Sequence, residues 1–553
     1  MSEKANVRKQ NFVLGAMILM ISNLAVKVIG AIFKIPLMNI IHAEGMAYFN
    51  AAYYVYVMFY QISTAGLPVA ISRMVATANA KGDKREANKV FRIALALFFV
   101  IGVVGTTVMI ALAKSFSRQA QLDNAVYCMI AIAPTVFFIC ISSAYRGFFQ
   151  GMQNMIPTAV SQVIEAVGKM SVGIAAAIYF TSIGEKIHIT AAWVIVGVTI
   201  GVALSTVYIM IYKAMYNNAV KETLPSIESP SNDTKRTGEL LRELIIIAIP
   251  IAVSAAIMSL PNNIDTFLKP LLSNCGYSRE AATKVYGAYT GMSISLFNMP
   301  PTLVYPFGIS IIPVLAAAYA AKDMTKAHKT MEAAFRMAAI ISLPCSVGMS
   351  VLARPIITAV FPGASGEVII PGELISADVG ERTLSIMSVA IFAISLIAIT
   401  NSVLQAWHRE YMAIVATGAG VAAKLVSAYI LLPIPGIAER GFAISTAVCY
   451  FTILAVNTAF VIKYTGYVPK ITRVFLKPYI AAAVCGVVAV AVYNIASFEV
   501  GNLISTAAAI CAAGVVYLGG MGIMKGFVEE DILLMPKGDK ICRILKKLKV
   551  LAS

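Results

Sequence analysis

Long apolar runs separated by short polar stretches cover almost the whole chain. A membrane-spanning helix needs about 20 mostly apolar residues, and windows of that length predict about fourteen spans. The predicted spans lie near residues 11–39, 48–79, 90–113, 124–147, 156–180, 190–212, 243–270, 283–320, 333–360, 380–406, 411–432, 441–463, 474–496 and 501–524. The pattern predicts an all-α polytopic membrane protein.

Composition supports this class and excludes a soluble domain. The chain has 553 residues, of which 59% are hydrophobic and 13% charged, and its mean hydropathy is +0.80. Soluble domains are about 45–50% apolar and about 25% charged. The eight cysteines show no metal-binding spacing. The sequence predicts no metal and no cofactor.

The net charge of +17 reflects membrane topology rather than a nucleic-acid partner. Cytoplasmic loops of membrane proteins carry excess Lys and Arg. Most of the 44 basic residues fall in alternate connections if the N-terminus is inside, and Arg146 is assigned to one of these connections. The bias predicts a multi-pass protein of the cytoplasmic membrane with both termini in the cytoplasm.

A polar stretch rich in Pro, Ser and charged residues separates the sixth and seventh predicted spans. Its composition is that of a linker. The predicted domains are an N-lobe of six helices at 1–216, a cytoplasmic linker at 217–240, a C-lobe of six helices at 241–466, two further helices at 467–526 and a basic tail at 527–553.

The two lobes repeat each other weakly. Residues 76–92 resemble 316–336, and the pair Gln150 and Lys169 recurs as Gln405 and Lys424. Duplicated bundles of this kind place a transporter's substrate site between the repeats near mid-membrane. The alternative is chance similarity in a sequence of biased composition.

The first predicted span carries Lys27 and Lys34, which are seven residues apart and share a helical face with Asn23 and Gly30. A lysine at mid-membrane costs about 2.5–3.5 kcal/mol on insertion scales, so such a face normally lines a cavity. We therefore interpret Lys27 as a cavity cation. Lys34 lies nearer the end of the span, where an interfacial anchor is the alternative.

A second polar face runs along the fifth span through Thr158, Gln162, Glu165 and Lys169. Glu165 and Lys169 are four residues apart and can pair along the helix. The face either lines a substrate cavity or packs as a self-satisfied pair against other helices. Lys424 occupies the corresponding position of the eleventh span.

Two further charged positions each have two interpretations. The guanidinium of Arg73 suits phosphate, or the side chain extends to the inner interface. Asp265, with Asn263 close by, forms a sodium or proton site, or else pairs locally with Lys269, four residues on.

The eighth span combines polar side chains, including Ser295 and Asn298, with three prolines. Prolines free backbone carbonyls and permit bending, so this helix either gates a cavity or is a kinked structural helix. Together the cations favour an anionic substrate. No nucleophile–base pair or P-loop occurs, which predicts a transporter driven by an ion gradient or the membrane potential rather than an enzyme.

Three segments carry a family resemblance. Residues 26–83, 145–165 (YRGFFQGMQNMIPTAVSQVIE) and 299–313 (MPPTLVYPFGISIIP) resemble the MurJ and stage V sporulation protein B branch of the multidrug/oligosaccharidyl-lipid/polysaccharide (MOP) exporter superfamily. The resemblance implies two six-helix bundles in a V plus two C-terminal helices that form a lipid-tail groove.

The resemblance also assigns roles to residues. Lys27 falls where MurJ proteins carry an essential first-helix arginine, Arg73 matches a second-helix cation, and Asp265 falls in the helix that holds a sodium-site aspartate in some relatives. In the eighth span Ser295 and Asn298 stand where the MurJ pattern has an arginine and a glutamate. This departure argues against a diphosphate clamp in the C-lobe.

The resemblance implies a flippase that moves lipid II, an undecaprenyl-diphosphate-linked cell-wall precursor, across the membrane by alternating access. The substrate-binding residues would be Lys27, Lys34, Arg73, Glu165, Lys169, Asn298 and Lys424. Asp265 and Asn263 would couple Na⁺ or H⁺. We expect a monomer that contacts membrane lipids and proteins of cell-wall synthesis or division, with no nucleic-acid partner.

Three alternatives remain open from the sequence. The first is an exporter of another lipid-linked polysaccharide or a spore-cortex precursor. The second is a drug antiporter, which would need acidic residues in the N-lobe, where Glu165 is the one acid that we place in the cavity. The third is a non-transporting membrane scaffold, which has no need of buried cations.

Overall fold

The computed structural model of the protein describes residues 12–63, 67–80, 83–223, 236–469, 472–528 and 551–552. Nearly all of these residues are helical. The first helices are α1 (Phe12–Gln61), α2 (Leu67–Ala80), α3 (Lys84–Gln119), α4 (Ala125–Gly151), α5 (Ile156–Ser182), α6 (Ile187–Thr223), α7 (Thr237–Asn263) and α8 (Asp265–Leu268).

The remaining helices follow in chain order, and short 3₁₀ or π turns lie between some of them. They are α9 (Arg279–Ala288), α10 (Ile294–Phe297), α11 (Met299–Ala320), α12 (Met324–Val351), α13 (Ala353–Val360), α14 (Ser376–Met387), α15 (Ala390–Ala406), α16 (Glu410–Leu431), α17 (Ala438–Thr465), α18 (Lys477–Ala496) and α19 (Asn502–Ile523).

Four very short strands complete the secondary structure of the described residues. Strand β1 (Val368–Ile370) pairs antiparallel with β2 (Leu374–Ile375), and β3 (Phe527–Val528) pairs parallel with β4 (Leu551–Ala552). Neither pair forms part of a larger sheet. The all-α fold class predicted from the sequence is therefore confirmed.

Within the described residues, 12 helices are long and apolar enough to cross a membrane, or 13 if α14 and α15, bent by 47° at their junction, form one span. The sequence predicts about fourteen spans. The difference arises at the N-terminal end, because α1 counts as a single span although it covers the predicted span 11–39 and part of the predicted span 48–79, and α2 is too short to count.

Helix α1 is broken at His42. This residue has φ 56° and ψ −174°, a backbone conformation outside the helical region. The chain turns back on itself there, so that the ring of Phe33 before the break meets the ring of Phe49 after it, with 6.0 Å between centroids. Helix α1 therefore consists of two arms that pack against each other.

The internal contacts divide the chain into two compact units, Met1–Phe267 and Leu268–Ser553, here called unit 1 and unit 2. Unit 1 includes α7, which the sequence assigns to the second lobe. Most of the predicted basic tail, residues 529–550, and the linker residues 224–235 lie outside the described residues. The domain boundaries drawn from the sequence stay predictions.

Each unit has its own apolar core. In unit 1 a buried cluster joins α2, α3, α4, α6 and α7 around residues such as Phe91 and Phe148. In unit 2 another cluster joins α11, α12, α15 and α17 around residues such as Phe335 and Leu396. Long polytopic chains of this type bury their helix faces mainly by van der Waals packing.

Helices α5 and α6 of unit 1 approach each other unusually closely through glycines. A Cβ added at Gly201 would lie 2.5 Å from the backbone nitrogen of Lys169, and one at Gly197 would lie 2.5 Å from the backbone nitrogen of Gly173. Small residues at such spacings allow close helix contact in membranes. This contact fixes the polar face of α5 beside α6.

The duplication is visible in the turn that follows α4 and the turn that follows α15. Gln153 and His408 are 255 positions apart in the sequence. Their φ values, 59° and 55° respectively, are both left-handed. The amide of Asn154 donates to Phe149 O, and the amide of Arg409 donates to Leu404 O, at 2.9 and 2.8 Å. The equal local structure supports a repeat in this part of the two units.

A second pair of matching turns precedes α3 and α12. The side chain of Asp83 caps α3 by accepting from the amide of Glu86 at 2.8 Å, and that of Asp323 caps α12 by accepting from the amide of Lys326 at 2.9 Å. These caps fall in the two segments whose sequences resemble each other.

Candidate functional site

The centre of the candidate site in unit 1 is a buried arginine, Arg146, near the end of α4. Its side chain and that of Glu165 on α5 are 3% and 5% exposed. Arg146 Nη2 donates to Glu165 Oε2 at 3.0 Å and to Ser205 Oγ on α6 at 2.9 Å, and Arg146 Nε donates to Ser161 Oγ at 3.0 Å. One guanidinium therefore ties three helices together.

This arrangement corrects two expectations from the sequence. Arg146 is assigned there to a connection between spans, whereas it lies within α4 with its charge buried. The sequence allows Glu165 to pair with Lys169 along α5, whereas the structure pairs Glu165 with Arg146 on a neighbouring helix. A continuous helix from Ala125 to Gly151 keeps Arg146 inside the bundle, which a count of loop charges does not detect.

Lys169 and Lys34 add two further cations beside this ion pair. Lys169 is 8% exposed, and its ammonium lies near the hydroxyl of Tyr53. The Lys34 ammonium lies over the rings of Tyr53 and Tyr54, 5.8 and 5.7 Å from their centroids, and close enough to Lys169 for charge repulsion. The structure thus brings together the predicted residues Lys34, Glu165 and Lys169.

Two polar groups of the cluster are buried without a hydrogen-bond partner in the part of the chain that the structure describes. Arg146 Nη1 and the hydroxyl of Tyr56 are buried and have no hydrogen-bond partner among the described residues. Buried polar groups are normally satisfied, and exceptions call for an explanation such as a ligand or ordered water. A guanidinium with one free nitrogen beside two ammonium groups can receive an anion.

Helix α1 also carries the stripe that the sequence predicts to face a cavity. Asn23 and Lys27 are exposed, Lys34 is half-buried, and a Cβ added at Gly30 would meet no atom within 4 Å. The stripe therefore runs along an open side of the first arm. The substrate-binding role of Lys27 stays a prediction.

Arg73 lies on α2 with its side chain exposed. Its guanidinium makes no hydrogen bond or ion pair with the residues that the structure describes, and only its backbone carbonyl accepts, from Thr77 Oγ1 at 2.9 Å. Both interpretations given by the sequence, a phosphate contact and an interfacial cation, remain predictions.

In unit 2 the predicted residues Lys424 and Asn298 lie on different helices. Lys424 is 1% exposed on α16, and Thr417, two turns before it on the same helix, is also buried. Gly420, between them, packs so tightly on α17 that an added Cβ would lie 2.9 Å from the carbonyl oxygen of Cys449. Asn298 stands at the end of α10, where its amide donates to Ile294 O at 2.9 Å.

The predicted coupling residues lie where α7 ends and α8 begins. The side chain of Asp265 is 1% exposed. The amide of Asn263 donates to Ser259 Oγ at 3.4 Å. Among the described residues no group of three or more His, Cys, Asp or Glu side chains is placed to hold a metal ion. A role in Na⁺ or H⁺ coupling stays a prediction.

Unit 2 also contains a large apolar groove between α12, α15, α17 and the start of α18. Its volume is about 870 Å³. Aliphatic and aromatic side chains dominate its lining, among them Phe335, Leu343, Val347, Phe392, Leu454 and Tyr479. Such a groove can accept an elongated hydrocarbon.

Unit 1 thus provides a buried cationic cluster within an all-helical bundle, and unit 2 provides an apolar groove. The fold and these features define a multi-pass membrane transporter. The chain belongs to the polysaccharide biosynthesis protein family, whose model matches residues 12–318.

Curated relatives match along almost the full chain. Stage V sporulation protein B of Bacillus subtilis is 25% identical over 96% of this chain and 98% of its own length. Lipid II flippase MurJ of the same organism is 23% identical over 93% of this chain and 96% of its own length. The family resemblance stated from the sequence is therefore confirmed.

Solved structures share the fold. A structure of lipid II flippase MurJ in an inward closed conformation matches with a TM-score of 0.68 at 12% identity, covering 92% of this chain and 98% of that one. An inward-facing multidrug resistance MATE family transporter of the MOP superfamily matches with a TM-score of 0.63 at 16% identity, covering 83% and 98%. These proteins are transporters and flippases rather than enzymes, the class that the sequence predicts.

Proposed function

We propose that this protein is a flippase of the cytoplasmic membrane, with both termini inside, that translocates an undecaprenyl-diphosphate-linked cell-wall precursor such as lipid II. The observation that carries the proposal is the excess of buried and half-buried positive charge in unit 1. Arg146, Lys169 and Lys34 lie near one carboxylate, that of Glu165. The cluster therefore favours an anion over a cation.

A diphosphate matches this cluster chemically. It carries several oxygen acceptors, and guanidinium and ammonium groups form short, charge-assisted hydrogen bonds with phosphate. Arg146 Nη1 has no partner among the described residues, so one donor is already available without breaking the ion pair to Glu165. Binding would also relieve the repulsion between Lys34 and Lys169.

The apolar groove of unit 2 supports a substrate with a long hydrocarbon tail. A prenyl chain needs a continuous apolar surface, and the 870 Å³ groove offers one between α12, α15, α17 and α18. A soluble anionic sugar would gain nothing from such a groove. An amphipathic substrate therefore accounts for both features.

Transport by alternating access requires an energy source. We propose an ion gradient, with Asp265 and Asn263 at the coupling site, or the membrane potential. One charge moved through 100 mV is worth about 2.3 kcal/mol, so moving a diphosphate outward with accompanying cations can be coupled to either source.

A second candidate is export of another lipid-linked polysaccharide or of a spore-cortex precursor. The chain resembles stage V sporulation protein B and lipid II flippase MurJ almost equally, at 25% and 23% identity. The eighth predicted span carries Ser295 and Asn298 rather than charged residues. Unit 2 would then contact a different headgroup from that of lipid II.

The test is a flipping assay with purified protein in vesicles. Fluorescent lipid II is incorporated, a membrane-impermeant quencher reports the exposed fraction, and the membrane potential is set by a potassium gradient with an ionophore. We expect faster exposure of lipid II with the protein than in empty vesicles. A parallel assay with an undecaprenyl-linked polysaccharide precursor distinguishes the second candidate, and no flipping of either substrate would contradict the proposal.

A further inference from the structure

We propose that unit 1 contains a second anion site, which binds a phosphate group at the end of the bundle where α2 ends and α3 begins. The observation is a pocket of about 510 Å³ with a nearly fully buried lysine in its wall. The pocket shares no lining residue with the cluster around Arg146. It therefore needs a separate explanation.

Four helices meet at this pocket. It is lined by the last turns of α2 and α4, the first turns of α3 and the last turns of α6. The lining residues are Asn79, Ala87, Asn88, Phe91, Arg92, Phe148, Met152, Lys213, Ala214, Tyr216, Asn217 and Asn218. They include two cations and four amides, and no carboxylate.

Lys213 of α6 is the central residue of the pocket. Its side chain is 4% exposed. The ammonium lies 3.3 Å from the ring centroid of Phe148 and 5.3 Å from those of Phe91 and Tyr216. These rings position the ammonium by cation–π attraction but do not neutralise it.

The one polar contact of the Lys213 ammonium with a described residue is long. Lys213 Nζ and Asn88 Oδ1 are 3.5 Å apart. Lys213 makes no ion pair with any carboxylate of the described residues, although a buried charge is normally paired or bound to a ligand. Its remaining hydrogens are therefore available to a ligand in the pocket.

Arg92 supplies the second cation. It lies on α3 with an exposed side chain, and its guanidinium makes no hydrogen bond or ion pair within the described part of the chain. An exposed guanidinium beside a buried ammonium can approach a ligand from the open side. The amides of Asn79 and Asn217 add neutral donors.

This set of groups selects a phosphate. Arg and Lys are the side chains that proteins use for phosphate, the former with a planar fork and the latter as a point charge. The pocket lies at the ends of long apolar helices, where the headgroup of an anionic phospholipid is present at high local concentration. The phosphate could equally be a soluble anion, and the two sources can be separated.

The test uses the full-length protein purified in detergent free of phospholipid. Titration with inorganic phosphate is followed by calorimetry, against chloride at equal ionic strength. In parallel, native mass spectrometry counts phosphatidylglycerol molecules retained from mixed phosphatidylglycerol and phosphatidylcholine nanodiscs. Saturable binding of phosphate indicates a soluble ligand, and selective retention of phosphatidylglycerol without phosphate binding indicates a lipid.

Two variants locate the binding. Arg92→Gln removes an exposed charge and should fold normally, and Lys213→Gln removes the buried one. Loss of a charge-assisted contact should weaken binding about tenfold or more. Lys114→Gln, at an exposed position near the other end of α3, is the matched control and should bind like the parent.

The proposal is overturned if the parent binds neither probe selectively. It is also overturned if Arg92→Gln and Lys213→Gln bind as the parent does, or if Lys114→Gln weakens binding equally, since the effect would then be general surface charge. Because the readout is binding, these outcomes are independent of whether lipid II is flipped.

Discussion

Helices α4 and α5 of unit 1 and helices α15 and α16 of unit 2 share a repeated glutamine and lysine and a matching turn, yet they hold different polar groups. With the turns aligned, Lys169 corresponds to Lys424 and Arg146 to Asn401. Glu165 corresponds to Gly420 by the same alignment. The lysine is common to both units, and the ion pair belongs to unit 1.

The exchange changes the polar groups that stand at the other aligned positions of the two units. In unit 1 Arg146 donates to Glu165, Ser161 and Ser205. In unit 2 Asn401 accepts a neutral hydrogen bond from Asn457 at 2.7 Å, and Gly420 lets α17 approach α16 closely. The same helical scaffold therefore supports a buried ion pair in one unit, and a neutral hydrogen bond with close glycine packing at the aligned positions of the other.

The difference indicates where an anion would be recognised. A buried ion pair is costly to desolvate and adds little net stability. Stability alone therefore does not explain why unit 1 holds an ion pair beside two further cations. Unit 2 retains a single buried cation at this place, Lys424, and contributes the apolar groove. Under the proposed function, unit 1 would contact the headgroup and the groove of unit 2 would contact the tail.

The largest effect should come from Lys27→Ala, which removes the central cation of the exposed stripe on α1. We expect loss of growth support in a cell depleted of its lipid II flippase, with normal amounts of protein in the membrane. Lys27→Arg, which keeps the charge, should restore growth. Full growth support by Lys27→Ala would exclude this residue from the mechanism.

Breaking the ion pair should strongly destabilise unit 1. Glu165→Ala leaves the guanidinium of Arg146 buried without its carboxylate, which costs about 3–5 kcal/mol in typical proteins. Thermal unfolding of the purified protein measures the change. The corresponding change in unit 2, Asn401→Ala, removes one neutral acceptor and should cost about 1–3 kcal/mol.

A double variant separates stability from transport. Arg146→Gln combined with Glu165→Gln makes both positions neutral, and the aligned positions of unit 2 are neutral too. The double variant should recover most of the stability that Glu165→Ala loses. Flipping should remain impaired because the guanidinium is absent. Recovery of both properties would mean that the ion pair is purely structural.

The two equivalent lysines should differ in their effect on transport. Lys169→Gln removes a cation beside Arg146 and Lys34, and the flipping rate should fall about 10–100-fold, the range expected for one charge-assisted contact. Lys424→Gln should have a smaller effect. Lys186 is an exposed lysine after the end of α5, and Lys186→Gln is the control, which should flip like the parent. Equal losses of flipping rate in Lys169→Gln and Lys424→Gln would contradict the difference between the two units.

The smallest effect concerns helix packing beneath the charged face. Gly201→Ala places a methyl group 2.5 Å from the backbone of Lys169, and such overpacking costs about 1–3 kcal/mol. Gly418→Ala on α16 meets no atom within 4 Å and should be neutral or slightly stabilising, since alanine favours a helix over glycine. Thermal unfolding of the two variants compares them directly.

Much of this organisation is readable from the sequence. Hydropathy places most of the helices, and the spacing of Thr158, Glu165 and Lys169 indicates one polar face, because a span must bury or pair its polar groups. The repeat of Gln150 and Lys169 as Gln405 and Lys424 predicts matched elements in the two units, and the shared turns agree with it.

The sequence misses Arg146 and the tyrosines for different reasons. Arg146 stands near a span end, where a basic residue is most simply explained by loop charge. The available signal is its position in YRGFFQG, four residues before the repeated glutamine. Tyr53 and Tyr54 lie 19 and 20 positions after Lys34, and no helical periodicity connects residues so far apart.

His42 is what brings those tyrosines to Lys34. In an unbroken helix, residues 19 positions apart would be separated by about 28 Å, too far for any side-chain contact. The backbone at His42 adopts a conformation that costs a residue other than glycine about 1–3 kcal/mol. The position of the Lys34 charge relative to its aromatic partners therefore depends on the torsion angles of a single residue, one that belongs to neither the cationic cluster nor the groove.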